Sequence, residues 1–239
     1  NAARFTYPRG LAMDSIGNLY VGNFSNIRKI SPTGVVSTLA GPDSSICTPT
    51  TICPRGYINA TGTAARFSGI MSMATDANNN VYVVDSGNNA VRKITPTGVV
   101  STLFKTERLS GAIALDAQGN IYVGNGASGG GILKLTTAGV SSVFVGNNVR
   151  VFANDIAIDA TGTLFASDFI GAKINKITPT GTLTASVVPQ TFVGNASGFP
   201  SLVPGAGNGG SINNGYIAIS GTSLYIAQKT AIGVVNPRP

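Results

Sequence analysis

One short phrase recurs five times along this chain, and that repeat restricts its fold more than any other feature. Asn18-Leu-Tyr-Val-Gly-Asn23 returns as Asn80-Val-Tyr-Val-Val-Asp85 and Asn120-Ile-Tyr-Val-Gly-Asn125. Thr163-Leu-Phe-Ala-Ser-Asp168 and Ser223-Leu-Tyr-Ile-Ala-Gln228 are looser copies. Ahead of each stands a second phrase: Leu11-Ala-Met-Asp14, Met73-Ala-Thr-Asp76, Ile113-Ala-Leu-Asp116, Ile156-Ala-Ile-Asp159 and Ile217-Ala-Ile-Ser220. A unit this short cannot bury its own apolar face, so copies must stack on one another. A single repeat domain over residues 1–239 follows, with repeats at about 5–41, 67–104, 109–146, 152–188 and 215–237. The stretches 42–66 and 189–214, rich in Gly, Pro, Asn and Ser, read as long loops.

The links between phrases carry turn chemistry. Asp14-Ser-Ile-Gly17, Asp76-Ala-Asn-Asn79, Asp116-Ala-Gln-Gly119 and Asp159-Ala-Thr-Gly162 each open on Asp and place Gly or Asn three residues later. That pattern suits a type I turn followed by a left-handed residue, which joins antiparallel strands. Ser31-Pro-Thr-Gly34, Thr95-Pro-Thr-Gly98 and Thr178-Pro-Thr-Gly181 supply a second turn. Each repeat therefore reads as a four-stranded antiparallel sheet, apolar on both faces, as in a propeller blade. The fold class is all-β, a β-propeller with five repeats counted. The last repeat holds three strands, so closure as six blades would require missing strands.

Composition narrows the function classes. Only 10% of residues are charged, against about 25% in ordinary domains. The net charge of +7 reflects nine acids against sixteen scattered bases, so a nucleic-acid or other polyanion partner is disfavoured. No apolar run is long enough to span a bilayer. The chain has no histidine, which removes Ser–His and Cys–His nucleophile pairs. Cys47 and Cys53 lie close together in a polar loop, where a small disulfide ring is favoured over a two-ligand metal site. That pairing would place the protein outside the cell, secreted or at its surface.

The strings Pro8-x-Gly-Leu-Ala-x-Asp14, Gly17-Asn-Leu-Tyr-Val21, Ile27-Arg-Lys-Ile30 and Pro32-x-Gly34 resemble the NHL repeat, as does the copy ending at Gly98. The segment Gly56-Tyr-Ile-Asn-Ala-Thr-Gly-Thr-Ala-Ala-Arg-Phe67 is similar to the long connection of bacterial NHL repeats. The resemblance implies a propeller used as a binding module, a sensor or an occasional enzyme. Related propellers of the gluconolactonase type are calcium-dependent hydrolases using Glu, Asn and Asp, yet this chain has one glutamate, Glu107. Lyases of the same fold need histidine ligands that it lacks.

Three groups of candidate site residues follow. Asp14, Asp76, Asp116 and Asp159 stand at equivalent positions and would form a metal or polar ring, calcium being the ion that oxygen donors suit. The competing reading has each of them capping its own turn. Lys29, Lys93, Lys134 and Lys176 form a basic column, read either as a binding stripe or as stems lying along the blade. Ile232, Gly233, Val234 and Val235 form the third strand of the last repeat, whose outer edge would be open to strand addition. The expectation is a non-catalytic extracellular binding or assembly module without a cofactor, taking a protein partner, its own copies or a carbohydrate. The alternative is a calcium-dependent propeller hydrolase or lyase-like enzyme.

Overall fold

A computed structural model describes residues 3, 5, 7–43, 54–127, 130–146, 151–168, 170, 173–177, 190–194, 216–221, 223–227 and 232–235. Among the described residues nineteen strands form five separate antiparallel sheets, each in simple chain order. The first sheet contains β1 (Gly10–Met13), β2 (Leu19–Gly22), β3 (Ile27–Ile30) and β4 (Val36–Ala40). The second contains β5 (Ile70–Thr75), β6 (Val81–Asp85), β7 (Ala90–Ile94) and β8 (Val100–Lys105). The third contains β9 (Leu109–Leu115), β10 (Ile121–Asn125), β11 (Ile132–Leu135) and β12 (Ser141–Val145). The fourth contains β13 (Ala153–Ile158), β14 (Leu164–Asp168), β15 (Lys173–Ile177) and β16 (Gln190–Gly194). The fifth has three strands among the described residues, β17 (Tyr216–Ser220), β18 (Ser223–Ala227) and β19 (Ile232–Val235).

Every repeated phrase is thus a strand, and the turn chemistry works as the spacing requires. In the first hairpin, the Gly17 amide donates to the Asp14 carbonyl and the Asp14 amide to the Asn18 carbonyl. The fourth turn residue takes a positive φ in each case, 84° at Gly17 and 60° at Asn79. Asn tolerates that conformation better than most residues, which explains the one exchange. One strand falls elsewhere than expected. β16 occupies 190–194, inside the stretch read as a loop, where Thr191-Phe-Val193 carries β-forming residues.

The chain divides into two compact units. Unit one is Asn1–Leu109 with Thr137–Gly139, and unit two is Ser110–Thr136 with Val140–Pro239. In the first, β1 lies against β5, and the face of the first sheet bearing Tyr20 and Ala12 packs on Met73, Val81, Val83, Ile94 and Val100 of the second. The contact is close: a Cβ on Gly22 would sit 2.7 Å from an Ile70 methyl. In the second unit the junction recurs twice. Tyr122 and Ala114 face Ile156 and Leu164, then Phe165 and Ala157 face Ile217, Leu224 and Ile226. An aromatic residue above an alanine, pressed on an aliphatic face, is the unit of the core.

Among the described residues no helix is long and apolar enough to cross a membrane.

Candidate functional site

The four repeated aspartates are engaged inside their own hairpins. Asp116 Oδ1 accepts from the amides of Gln118 at 3.0 Å and Asn120 at 2.8 Å. Its Oδ2 accepts from the Asn120 side chain at 2.7 Å and from the Tyr122 hydroxyl at 3.1 Å. Asp76 repeats the set with Asn78, Asn80 and Tyr82, and Asp14 with Ile16, Asn18 and Tyr20. Asp159 accepts from the Thr161 and Thr163 amides and the Thr161 hydroxyl, since Thr163 and Phe165 replace the Asn and Tyr. Burial raises the Asp14 carboxyl, but the donors from Asn18, Tyr20 and Ile16 outweigh it, and the net shift is downward from 3.8. The same bonds, with desolvation as the larger cause, push the hydroxyls of Tyr20, Tyr82 and Tyr122 well above their ordinary value. Asp-x-x-x-Asn-x-Tyr is a hairpin lock, with Tyr tying one end of a strand to the turn that precedes it.

The lysine column stands across the strand pair from those rings. Tyr20 opposes Lys29, Tyr82 opposes Lys93, Tyr122 opposes Lys134 and Phe165 opposes Lys176. The Lys93 and Lys134 ammonium groups lie 5.6 Å and 5.5 Å from the ring centroids of Tyr82 and Tyr122, within cation–π reach. All four are half-buried, so stems cover aromatic surface while the heads reach outward.

Arg92 is a third polar feature, and its role was not apparent from its place in the sequence. It is fully buried, ion-paired to Asp85 at 2.9 Å, and sits 4.8 Å and 5.1 Å from the rings of Tyr57 and Phe67. Its guanidinium also donates to Asn59 and to the carbonyls of Ile58 and Arg66. One cation therefore gathers the 56–67 segment onto the second sheet.

Asp155 differs from all of these. It stands on β13 at a register shift, one residue ahead of the Ile156-Ala-Ile-Asp159 phrase. The corresponding residues of the other repeats are Gly10, Ser72, Ala112 and Tyr216, so it is the one carboxyl in that column. Its Oδ2 accepts from the Ile217 amide of β17 at 2.9 Å and its Oδ1 from the Ile156 amide at 3.0 Å. The Asp155 amide donates to Ser167 Oγ at 3.1 Å. Among the described residues no cation is paired with it, and loss of solvation outweighs the two amide bonds, pushing the carboxyl up to about 7. A carboxyl that exchanges its proton near neutrality, between the first strands of two adjacent sheets, is the group best suited to acid–base work. Sequence reasoning passed over it, although its isolation in the column was a readable signal.

Among the described residues no three His, Cys, Asp or Glu side chains come together to hold a metal. The oxygens of the candidate aspartate ring accept hydrogen bonds in separate hairpins, and among the described residues Asp155 stands without a second carboxylate. This set does not make a calcium cage. Cys47 and Cys53 lie outside the described residues. Ile232–Val235 is a strand, paired along β18 from Leu224↔Val235 to Ala227↔Ile232.

No protein-family model matches the chain, and no curated protein does. Solved structures do. A catalytically inactive form of virginiamycin B lyase from Staphylococcus aureus, in which a histidine is replaced by alanine, has a TM-score of 0.57 at 16% identity, covering 95% of this chain and 79% of that one. A gluconolactonase from Xanthomonas campestris has a TM-score of 0.66 at 14% identity, covering 98% and 73%. Regucalcin from Agrobacterium tumefaciens, described as calcium-binding, has a TM-score of 0.62 at 12% identity, covering 98% and 72%. At these identities the likeness is one of fold. The chain is a β-propeller protein.

Proposed function

We propose that this propeller is a hydrolase acting on a small polar ester or lactone, with Asp155 as its proton-transfer group. The observation that carries the reading is the solitary carboxyl of Asp155, bridged to the Ile217 amide between the first strands of two adjacent sheets. First strands line the axis of a propeller, where small ligands enter. Ionised, the carboxylate takes a proton from water as that oxygen attacks the carbonyl carbon. Protonated, it returns the proton to the leaving oxygen as the C–O bond breaks. A group balanced near neutral pH serves both steps.

The gluconolactonase-like fold supports the hydrolase class, with a sugar lactone as the carbohydrate-derived candidate. The lyase reading is weaker, because that neighbour is inactive once a histidine is replaced and this chain has none. Calcium is carried as an additive to test, since regucalcin binds it, and no step above depends on it.

The test is a panel of aliphatic and sugar lactones with and without calcium chloride, followed across pH. Turnover whose rate inflects near pH 7, and is lost in Asp155→Asn while the circular dichroism spectrum is kept, is expected. No hydrolysis of any member, or equal rates in the variant, overturns the reading.

A second reading, a secreted or cell-surface NHL-type binding module, draws on a different observation. Among the described residues β19 has one strand neighbour, β18, so its far edge presents unpaired backbone groups to a protein strand. Appending a strand copied from Val99-Val-Ser-Thr-Leu103 after Pro239 should then abolish partner binding or self-association. Free thiols on both Cys47 and Cys53 in native material would remove the extracellular placement.

A further inference from the structure

The second and fourth sheets share an irregularity on their first strands. β5 shifts register between Ile70 and Met73, so Met71 and Ser72 together oppose Val84. β13 shifts at the same place, between Ala153 and Asp155, so Asn154 and Asp155 together oppose Ser167. A bulge of this kind bends its strand, disrupts the ladder locally and re-aims a side chain. In the fourth sheet a side chain also grips the disrupted backbone. The Asp155 amide donates to the Ser167 hydroxyl at 3.1 Å, and that hydroxyl turns back to the Asp155 carbonyl at 3.5 Å.

The residues at the place of Ser167 in the other repeats are Gly22, Val84, Gly124 and Ala227, so the hydroxyl belongs to the fourth repeat alone. The second sheet builds its bulge with Val84 there, and the bulge itself therefore does not need a hydroxyl. What the hydroxyl coincides with is Asp155, the one carboxyl in its own column. Two exceptional residues thus face each other across one strand pair. Ser167 is buried, so it can act on a substrate only through Asp155.

We infer that Ser167 is the positioning residue for Asp155, its hydroxyl fixing the backbone of the bulge so that the carboxyl spans to the Ile217 amide of β17. The catalytic consequence rests on the hydrolase reading, whereas the positioning itself does not. Without the hydroxyl the Asp155 backbone loses one acceptor and one donor, the bulge relaxes, and the carboxyl turns from Ile217 toward water. Hydration lowers its proton affinity. A base displaced by about 1 Å also works more slowly, by roughly ten- to a hundredfold. The strands most closely packed on β13 carry Asp168, Tyr122 and Tyr216 as their ionisable side chains. All three remain when Ser167 alone is changed, so their influence cancels in the comparison.

Ser167→Ala tests this, with Ser167→Val, which copies the second sheet, as the variant whose bulge already has a folded precedent. Carbon-13 shifts of the Asp155 carboxyl, assigned by their loss in Asp155→Asn, report its proton directly and need no substrate. The wild-type carboxyl is expected to titrate near pH 7, and in both variants at least about one pH unit lower. On the lactone that the wild type turns over best, kcat should fall roughly ten- to a hundredfold with KM little changed, and the inflection of the rate profile should move down with the carboxyl. A carboxyl that titrates alike in wild type and variants overturns the inference, as does a raised KM with kcat unchanged. If no lactone is hydrolysed while the titration still moves, the hydrolase reading fails and the positioning role stands.

Discussion

Asp155→Asn should raise stability at alkaline pH and not at acid pH. The folded protein holds the Asp155 proton up to about pH 7, whereas the unfolded chain releases it near the ordinary value of 3.8. Below that value both states are protonated and the group favours neither. As pH rises from 3.8 to 7 the unfolded state binds fewer protons than the folded one, so stability falls, and above 7 the loss is complete. A shift of this size corresponds to about 4 kcal/mol at roughly 1.4 kcal/mol per pH unit. The residue keeps some solvent contact, which screens the charge and makes about 2–4 kcal/mol the better range. Asparagine can still accept from Ile217 but gives up the Ile156 amide bond, at a cost of about 1 kcal/mol. The net gain at pH 8 is then about 1–3 kcal/mol, or a melting temperature higher by roughly 2–12 °C for a chain of this size. Calorimetry of both proteins from pH 4 to 8 measures it, because other carboxylates cancel in the difference. Melting curves that run parallel across that range would show that the Asp155 carboxyl ionises freely in the folded protein, and the acid–base argument would fall with it. The wild-type carboxylate is therefore a standing cost, the kind that functional sites retain.

Three further substitutions separate local locks from long-range ones. Tyr122→Phe removes the hydroxyl that donates to Asp116 and should lower stability by about 1 kcal/mol, seen as a melting shift of roughly 2–4 °C with no change in the circular dichroism spectrum. Arg92→Ala strands the Asp85 carboxylate and releases the 56–67 segment, so a loss of about 3–5 kcal/mol is expected. Proteolysis should then cut within that segment first, and Arg92→Met, which restores volume without charge, should leave the segment equally exposed to cleavage.

The hairpin framework was legible because its causes lie within a few residues of each other. Asp116, Asn120 and Tyr122 meet whenever the chain turns at Gly119, and the same short spacing writes the lock into Asp14 and Asp76. Val81–Asp85 and the other strands put apolar side chains on both faces of a sheet, and hence the sheets had to stack. Which residues are covered was not written there, because burial depends on what the rest of the chain brings against them. Asp155 reads as one more polar residue until the Ile217 amide, far along the chain, closes over it and water withdraws. Arg92 matches Arg28 in sequence, but only the 56–67 segment supplies the rings and carbonyls that enclose it. The sequence determines the repeat, its turns and its two-faced sheets through contacts a few residues apart. Desolvation of particular groups, and with it the candidate chemistry, is a sum over distant neighbours that only the tertiary structure assembles.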